Sequence, residues 1–206
     1  MKRCVIIAGS PQFHPVPTGP DDFVIACDRG WNHAKASGMK VDLLLGDMDS
    51  IQGEPGPELP KIRMPREKDD TDTMAAIRHG LTLGYREFLL LGALGGRLDH
   101  TMANLQAAAF LSRQGARCIL LDEETTAMLL TDGSIHLPRR QGYALSLFSF
   151  TETCLGVSAS GVRYPLHNAT LTNTMPVGVS NEWSGEEARI SVEQGTLMIL
   201  QSRIHG

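Results

Sequence analysis

Two short acidic motifs carry the side chains best suited to metal chemistry. Asp47 and Asp49 lie two residues apart in "LGDMDS", directly after a strand-like apolar run, and "EKDDTD" adds Asp69 and Asp72. Clustered carboxylates repel one another unless they are well solvated or held by a cation. One interpretation is turn formation and helix capping, which Asp favours. The other is a Mg²⁺ site that handles phosphate groups, because Mg²⁺ takes a few carboxylates together with substrate phosphates.

A second motif, "GALGGR", is suited to phosphate binding. The chain has no G-x-x-x-x-G-K-[ST] motif, so a P-loop is excluded. Gly95 and Gly96 permit close approach of backbone N–H groups to a phosphate, directly before a predicted helix. Arg97 can contact phosphate oxygens through two N–H groups, and Lys68 can neutralise charge from a neighbouring loop. The alternative for Arg97 is an ordinary surface arginine.

The elements that position these residues alternate in type up to about Asp122. Five apolar runs, "CVIIAG", "FVIACD", "VDLLLGD", "FLLLGAL" and "RCILLD", predict buried parallel strands. Because ligands bind at the carboxyl ends of such strands, "CDRG", "GDMDS", "EKDDTD" and "GGRLDH" are expected at one edge of the sheet. Asp69, Asp72 and Asp99 also have a structural explanation there, as helix caps or first-turn acids.

Helices are predicted between these runs. "RGWNHAKASG" ends at Gly38, a plausible left-handed terminating residue. "TDTMAAIRHGLTLG" forms a second helix, and "LDHTMANLQAAAFLSRQG" forms a third. In this third helix one face carries Leu98, Met102, Leu105 and Ala109. Alternating strands and helices predict an α/β layer with right-handed crossovers.

The pattern of alternating strand-like and helical segments ends near residues 123–127. Six short strand-like runs follow, separated by Gly, Pro, Asn and Asp, and they predict a small β-sandwich or barrel. "EQGTLMIL" predicts a tight hairpin.

The net charge of −4 and the pI near 6.0 argue against nucleic-acid binding. No apolar run reaches the roughly 20 residues that span a membrane. Four scattered cysteines indicate a reducing cytoplasm, with neither a zinc site nor disulfides.

The ordered set of motifs resembles the bacterial thiamine pyrophosphokinase family. The set is "GDMDS", "EKDDTDT", "LGALGGRLDHTMANL", "YPLHNATL" and "GVSNEW". The resemblance covers nearly the whole chain. It implies a Rossmann-like, three-layer α/β domain with a mostly parallel sheet over residues 1–124, which binds nucleotide and Mg²⁺. It implies a small β-sandwich over residues 125–206, which binds thiamine and forms a homodimer. The implied reaction moves the pyrophosphoryl group of ATP to the hydroxyethyl oxygen of thiamine, giving thiamine diphosphate and AMP.

The resemblance also implies roles for individual residues. Asp47, Asp49 and Asp72 are expected to bind Mg²⁺, directly or through water. Asp69 and Thr71 shape the same loop, and Lys68 and Arg97 contact phosphates. Asp99 lies near the thiamine hydroxyl or pyrimidine, and either Asp72 or Asp99 accepts the hydroxyl proton. Ser180 and Asn181 of the partner's β-domain line the thiamine pocket. Trp183 either stacks on the cationic thiamine rings or is an exposed edge-strand residue.

Two loops depart from the expected family pattern. The first reads "GSPQ" instead of Gly-Gly-acid, and the second reads "CDRG" instead of Ala-Asp-Gly-Gly. Asp28 and Gly30 are predicted to bind nucleotide, and Arg29 either changes the turn or adds a phosphate contact.

Two other functions remain open. One is a Mg²⁺-dependent phosphohydrolase or nucleotidyltransferase, and the other is a thiamine- or nucleotide-binding sensor without catalytic activity.

Overall fold

The computed structural model describes residues 2–65 and 70–205. The chain divides into two compact units. The first, here called the α/β unit, contains Met1–Leu111 and Ala116–Glu123, and the second, the β unit, contains Ser112–Gly115 and Glu124–Gly206. Together they make a mixed α/β fold. In the described part of the chain, no helix has the length and apolar character needed to cross a membrane.

Six parallel strands form the sheet of the α/β unit, in the order β6-β5-β1-β2-β3-β4. They are β1 (Cys4–Ile7), β2 (Phe23–Cys27), β3 (Leu43–Gly46), β4 (Lys61–Arg63), β5 (Glu87–Leu91) and β6 (Arg117–Leu121). The five strands predicted from apolar runs are confirmed. Sequence reasoning missed β4, because this three-residue edge strand has exposed Lys61 and Arg63 and so gives no apolar signal.

Helices cover both faces of this sheet. They are α1 (Gly30–Ser37), α2 (Asp72–Thr82) and α3 (Leu98–Arg113). Successive strand residues point to opposite faces. Val5 and Ile7 pack in a cluster with Ala34 of α1. Cys4 instead faces α2, where an added Cβ on Gly80 would lie 2.9 Å from its Sγ. Close helix–sheet packing on that face therefore requires glycine at position 80.

The three predicted helices are confirmed in position, but the predicted apolar face of α3 is only partly buried. Gly38 ends α1 in the left-handed region, with φ of 69°. In α3, the predicted face is buried only in part: Leu105 and Ala109 are buried, but Leu98 is 74% exposed and Met102 is 45% exposed. The reason is that α3 starts at the carboxyl edge of the sheet and buries its side chains only from Asn104 onward.

From Thr125 onward, the regular elements of the described part of the β unit are all strands. They are β7 (Thr125–Pro138), β8 (Tyr143–Ser149), β9 (Thr153–Ser160), β10 (Leu166–Thr172), β11 (Gly178–Asn181) and β12 (Glu187–Arg203). Strand β12 pairs with β7 along its length, with β9 through its first part and with β8 through its second. Strand β10 pairs with β9, and β11 pairs with β8. The short strand β11 was missed from the sequence.

The predicted hairpin at "EQGTLMIL" was wrong, because β12 is one continuous strand of 17 residues. The register with β7 shifts between Val192 and Thr196, which marks a bulge. Gly195 has φ of 112°, and its N–H donates to Asp132 Oδ1 at 2.8 Å. The glycine therefore creates an irregularity inside a strand, where the sequence suggested a chain reversal.

Candidate active site

The order of the parallel strands reverses at β1, which pairs with β2 on one side and β5 on the other. Ligands of such sheets bind at the carboxyl ends of the strands beside this switch point. A cavity of about 430 Å³ opens there. Five predicted site residues line it, namely Asp28, Thr71, Asp72, Gly95 and Arg97. Sequence reasoning did not select Ser10, Ser50, Thr73, His100 or Asn104, which also line it.

Asp28 follows β2 in an unusual backbone conformation, with φ of 40°. Its N–H donates to the Leu45 carbonyl at 3.2 Å, and its Oδ1 accepts the N–H of Met48 at 3.1 Å. Gly46 makes room for this carboxyl group, because an added Cβ would lie 1.8 Å from Asp28 Oδ1. The end of β2 is thus tied to the loop after β3.

The pKa of Asp28 is raised to about 7. Burial is the main cause, followed by a hydrogen bond with the Asp72 carboxyl group and by the negative charges of Asp72 and Asp47. Two acids from other segments of the chain, Asp47 and Asp72, therefore act on Asp28 at this edge. Both were predicted metal ligands, and the structure brings Asp28 into the same group.

The loop after β3 holds the acidic pair Asp47 and Asp49. Asp47 is half-buried and Asp49 is exposed. The Asp49 N–H donates to Asp47 Oδ1 at 2.9 Å, and Met48 between them has φ of 68°. This is the turn chemistry that the alternative interpretation anticipated. Over residues 2–65 and 70–205, no three acidic, histidine or cysteine side chains converge closely enough to form a ready-made metal centre.

Thr71 caps helix α2, and its Oγ1 accepts the N–H of Met74 at 3.1 Å. Asp72 is the first helical residue, and its carbonyl oxygen accepts a weak hydrogen bond from Cys27 Sγ at 3.6 Å. The cap is therefore Thr71, so Asp72 is not needed for capping and its carboxyl group faces the cavity and Asp28. The predicted site residues Lys68 and Asp69 lie outside the described residues.

The loop after β5 is pinned at several points. Gly92 has φ of 59°, and an added Cβ would lie 2.7 Å from the Ala8 carbonyl oxygen. The buried Asn104 side chain donates to the Ala93 carbonyl at 2.8 Å, and Thr101 Oγ1 donates to the Gly95 carbonyl at 3.0 Å. Gly96 adopts φ of 65° beside Pro11. These contacts hold the glycine-rich turn against the loop after β1, directly before α3.

Arg97 and Asp99 form an ion pair with each other. The guanidinium donates to Asp99 Oδ2 at 2.6 Å and to Oδ1 at 3.1 Å. Arg97 therefore holds the pKa of Asp99 below its usual range. Arg97 lines the cavity, whereas Asp99 does not. Gly30 is also outside the cavity lining; it packs so closely on β1 that an added Cβ would lie 1.9 Å from the Ile7 carbonyl oxygen.

The three predicted thiamine-site residues lie in the β unit. Ser180 is exposed, has φ of 58°, and its N–H donates to Ser146 Oγ at 3.0 Å. The Asn181 amide donates to the Tyr164 carbonyl at 2.7 Å and accepts the Tyr164 N–H at 3.0 Å. Asn181 thus clamps the loop before β10.

Trp183 is only 7% exposed and belongs to the core of the β unit. Its Nε1–H donates to the Leu137 carbonyl at 3.2 Å. The alternative of an exposed edge-strand tryptophan was therefore wrong. Stacking on thiamine stays a prediction, and the role visible in this structure is packing.

A larger cavity of about 710 Å³ lies at the opposite, amino end of the strands. Lys2, Asp22, Asp42 and Tyr85 are among its lining residues, and no predicted site residue is. Two of its acids have protein partners: Asp22 pairs with Arg3, and Asp42 pairs with Lys40. The smaller cavity at the carboxyl edge is the candidate active site, because it combines two neighbouring carboxyl groups, glycine-rich backbone and arginine.

Comparison with known proteins identifies the family of this chain. Residues 19–120 match the family model for the thiamin pyrophosphokinase catalytic domain, and residues 133–197 match that for the thiamin pyrophosphokinase vitamin B1 binding domain. The chain is 26% identical to thiamine pyrophosphokinase of Bacillus subtilis over 212 aligned positions, covering 98% of this chain and 99% of that protein.

Solved structures show the same likeness. A crystal structure of thiamine pyrophosphokinase from Bacillus subtilis superposes with a TM-score of 0.90 at 24% identity, covering 98% of this chain and 99% of the other. A thiamin pyrophosphokinase family protein from Enterococcus faecalis superposes with a TM-score of 0.83 at 27% identity over the full length of both chains. The two matched domain models together take in well over half of the sequence, and the chain belongs to the thiamin pyrophosphokinase family.

Proposed function

We propose that this protein transfers the pyrophosphoryl group of ATP to the hydroxyethyl oxygen of thiamine, forming thiamine diphosphate and AMP. The observation that carries this proposal is the cavity at the strand-order reversal. It gathers interacting carboxyl groups, a pinned glycine-rich turn and an arginine, in a chain matched by both the catalytic and the vitamin B1 binding domain models. The proposed setting is a Rossmann-like α/β domain (residues 1–124) that binds ATP, followed by a β-sandwich domain (residues 125–206), in a cytoplasmic enzyme.

The donor set at this edge fits Mg²⁺. Asp28 titrates near neutral pH because it is buried beside the charges of Asp72 and Asp47, and a cation would relieve that repulsion. The available ligands are carboxylate oxygens, which Mg²⁺ prefers. We propose that Asp47, Asp49 and Asp72 hold the ion together with ATP. When bound, Mg²⁺ would offset charge on the phosphate oxygens.

Other residues of the cavity are proposed to position the phosphates of ATP. The turn over Gly95 and Gly96 precedes α3, so its backbone N–H groups and the helix N-terminus favour an anion there. Arg97 can exchange its contact with exposed Asp99 for phosphate oxygens, because the pair is solvent-exposed and weakly held. Transfer of a phosphoryl-type group depends mainly on such positioning and charge neutralisation.

The transfer itself requires loss of one proton. The thiamine hydroxyl oxygen forms a bond to the β-phosphorus, the bond from that phosphorus to the α–β bridging oxygen breaks, and AMP leaves. Asp72 and Asp99 were the two candidates to accept the hydroxyl proton. Position favours Asp72, which lines the cavity, whereas Asp99 is held by Arg97.

The thiamine site is proposed to use Ser180 and Asn181 of the partner subunit in a homodimer. Support comes from the vitamin B1 binding match, which includes both residues. Exposed apolar side chains in and before β11 are also consistent with a covered surface in an assembly; they are Met175 (63% exposed), Val177 (68%) and Val179 (47%).

The test is to identify products by phosphorus NMR after incubation with ATP, Mg²⁺ and thiamine. We expect AMP and thiamine diphosphate in equal amounts, and neither when thiamine is omitted. Release of phosphate or pyrophosphate without thiamine would instead establish the phosphohydrolase alternative. Binding of both ligands without any product would establish the sensor.

A further inference from the structure

Arg29 of the "CDRG" motif, for which the sequence left open a changed turn or a phosphate contact, lies at the candidate active site. It follows Asp28 and directly precedes α1, with helical backbone angles (φ −58°, ψ −22°) and no side-chain capping bond. Its side chain is exposed and lines the 430 Å³ cavity. The departure from the expected motif therefore places a second arginine at the cavity that contains Arg97.

Contact with Gly9 directs the Arg29 stem across the loop that follows β1. A Cβ added to Gly9 would lie 3.0 Å from Arg29 Cβ and 3.8 Å from its Cγ and Cδ. Glycine at position 9 thus accommodates the aliphatic part of Arg29. An arginine whose stem is packed in this way loses less conformational entropy on binding a ligand than a freely mobile one.

The guanidinium of Arg29 is free to bind a ligand. Within residues 2–65 and 70–205, it makes no hydrogen bond or ion pair. By contrast, Arg97 is engaged by Asp99, Arg3 by Asp22 and Arg78 by Asp70. Among the described residues, Arg29 is therefore a cation in the cavity without a protein anion of its own.

We propose that Arg29 is a phosphate-binding residue, and that it and Arg97 contact the polyphosphate of ATP from the two sides of the switch point. This inference rests on the proposed function for the identity of the nucleotide. Arg29 follows β2 and Arg97 follows β5, and β1 lies between these strands, so the two loops emerge about 10 Å apart. Guanidinium groups on both sides can hold successive phosphates by charge-assisted hydrogen bonds.

The experiment compares Arg29→Gln with a matched control, Arg113→Gln. Arg113 is an exposed arginine in the last turn of α3 and does not line the cavity. Calorimetry with Mg²⁺ would use three probes: ATP, inorganic tripolyphosphate and adenosine. For Arg29→Gln, we expect binding of ATP and of tripolyphosphate to weaken by about tenfold to a hundredfold, while adenosine binding and the thermal midpoint stay unchanged. Arg29→Lys should recover part of the loss, because it restores charge but not the planar fork.

Two further results separate this inference from the proposed function. If Arg29→Gln binds ATP and tripolyphosphate as tightly as Arg113→Gln does, Arg29 is not a phosphate ligand, whatever reaction the enzyme catalyses. If the unmodified protein binds ATP but makes no thiamine diphosphate, the proposed function fails, and the loss of binding in Arg29→Gln still supports the role of Arg29. If the unmodified protein binds neither ATP nor tripolyphosphate, both are overturned.

Discussion

Each of the two units contains an aspartate at positive φ, and the two aspartates have different surroundings. In the α/β unit, Asp28 is held at positive φ with its carboxyl group against that of Asp72, an arrangement that raises its pKa. In the β unit, Asp132 is also at positive φ, but its carboxylate accepts the Gly195 N–H. Asp28 is subject to repulsion from neighbouring carboxyl groups that a ligand can relieve, whereas Asp132 completes the hydrogen bonding of a bulge. An acid at positive φ that serves a backbone hydrogen bond indicates a structural role, and one packed against other carboxyl groups indicates a binding site.

The sharpest test of this contrast removes one negative charge from each unit. Asp72→Asn should lower turnover by at least about a hundredfold, because a group that organises charge in the reaction is lost. The fold should survive, since Thr71 supplies the cap of α2. Asp132→Asn keeps the acceptor oxygen and tolerates positive φ, so turnover and stability should both stay unchanged. Steady-state kinetics and thermal unfolding measure both. Equal turnover in the two variants would refute the contrast.

A second pair of variants tests the glycines that accommodate these acids. Gly46→Ala places a methyl group against the Asp28 carboxyl group, and Gly195→Ala places one 2.7 Å from the Thr153 carbonyl oxygen. Each should lower the free energy of unfolding by about 1–3 kcal/mol, measured in urea. Only Gly46→Ala should also weaken ATP binding, measured by calorimetry in folded protein. Normal ATP affinity in Gly46→Ala would show that the position of Asp28 does not matter to the site.

Trp183→Phe asks whether a residue of the β unit serves packing or thiamine binding. The change leaves the buried Leu137 carbonyl without its donor, so the free energy of unfolding should fall by about 1–2 kcal/mol. The KM for thiamine should stay unchanged if packing is the main role. A large rise in that KM with unaltered stability would instead support stacking of the indole on thiamine.

The smallest expected effect is at the amino end of the sheet. Arg3 binds the Asp22 carboxylate, whose side chain is 2% exposed, and lowers its pKa. The pair therefore stabilises the fold above the ordinary Asp pKa, and this contribution is lost as the pH falls through the lowered value. Arg3→Met should cost about 1 kcal/mol at pH 7 and show a smaller loss of stability between pH 5 and pH 3, without changing ATP affinity. Chemical unfolding across this pH range checks it. A pH profile identical to that of the unmodified protein would remove the pair from the stability account.

The sequence predicted the α/β unit well, because buried parallel strands leave continuous apolar runs. It failed where local pattern and tertiary context disagree. Gly195 resembles a hairpin glycine but forms a bulge in β12, since Asp132 of the partner strand captures its N–H. Leu98 and Met102 follow the apolar stripe of α3 but lie beyond the part of the helix that the core covers.

At the site, sequence reasoning identified acids by type and spacing but not their partners. The hydrogen bond between the carboxyl groups of Asp28 and Asp72 joins residues 44 positions apart and depends on how the loops meet. Asn104, which fixes the Ala93 carbonyl, lies within a helical stripe and gives no separate signal. Ser10 belongs to the "GSPQ" loop, but only the strand order shows that this loop adjoins the turn after β5.

The most direct test of the central claim is a crystal structure with Mn²⁺ and a non-hydrolysable ATP analogue, using the anomalous signal to locate the metal. We expect a peak at about 2.0–2.2 Å from a carboxylate oxygen of Asp72 or of the Asp47–Asp49 turn, with the phosphates between Arg97 and Arg29. A peak elsewhere, or nucleotide bound away from the carboxyl edge of β1 and β5, would contradict the account.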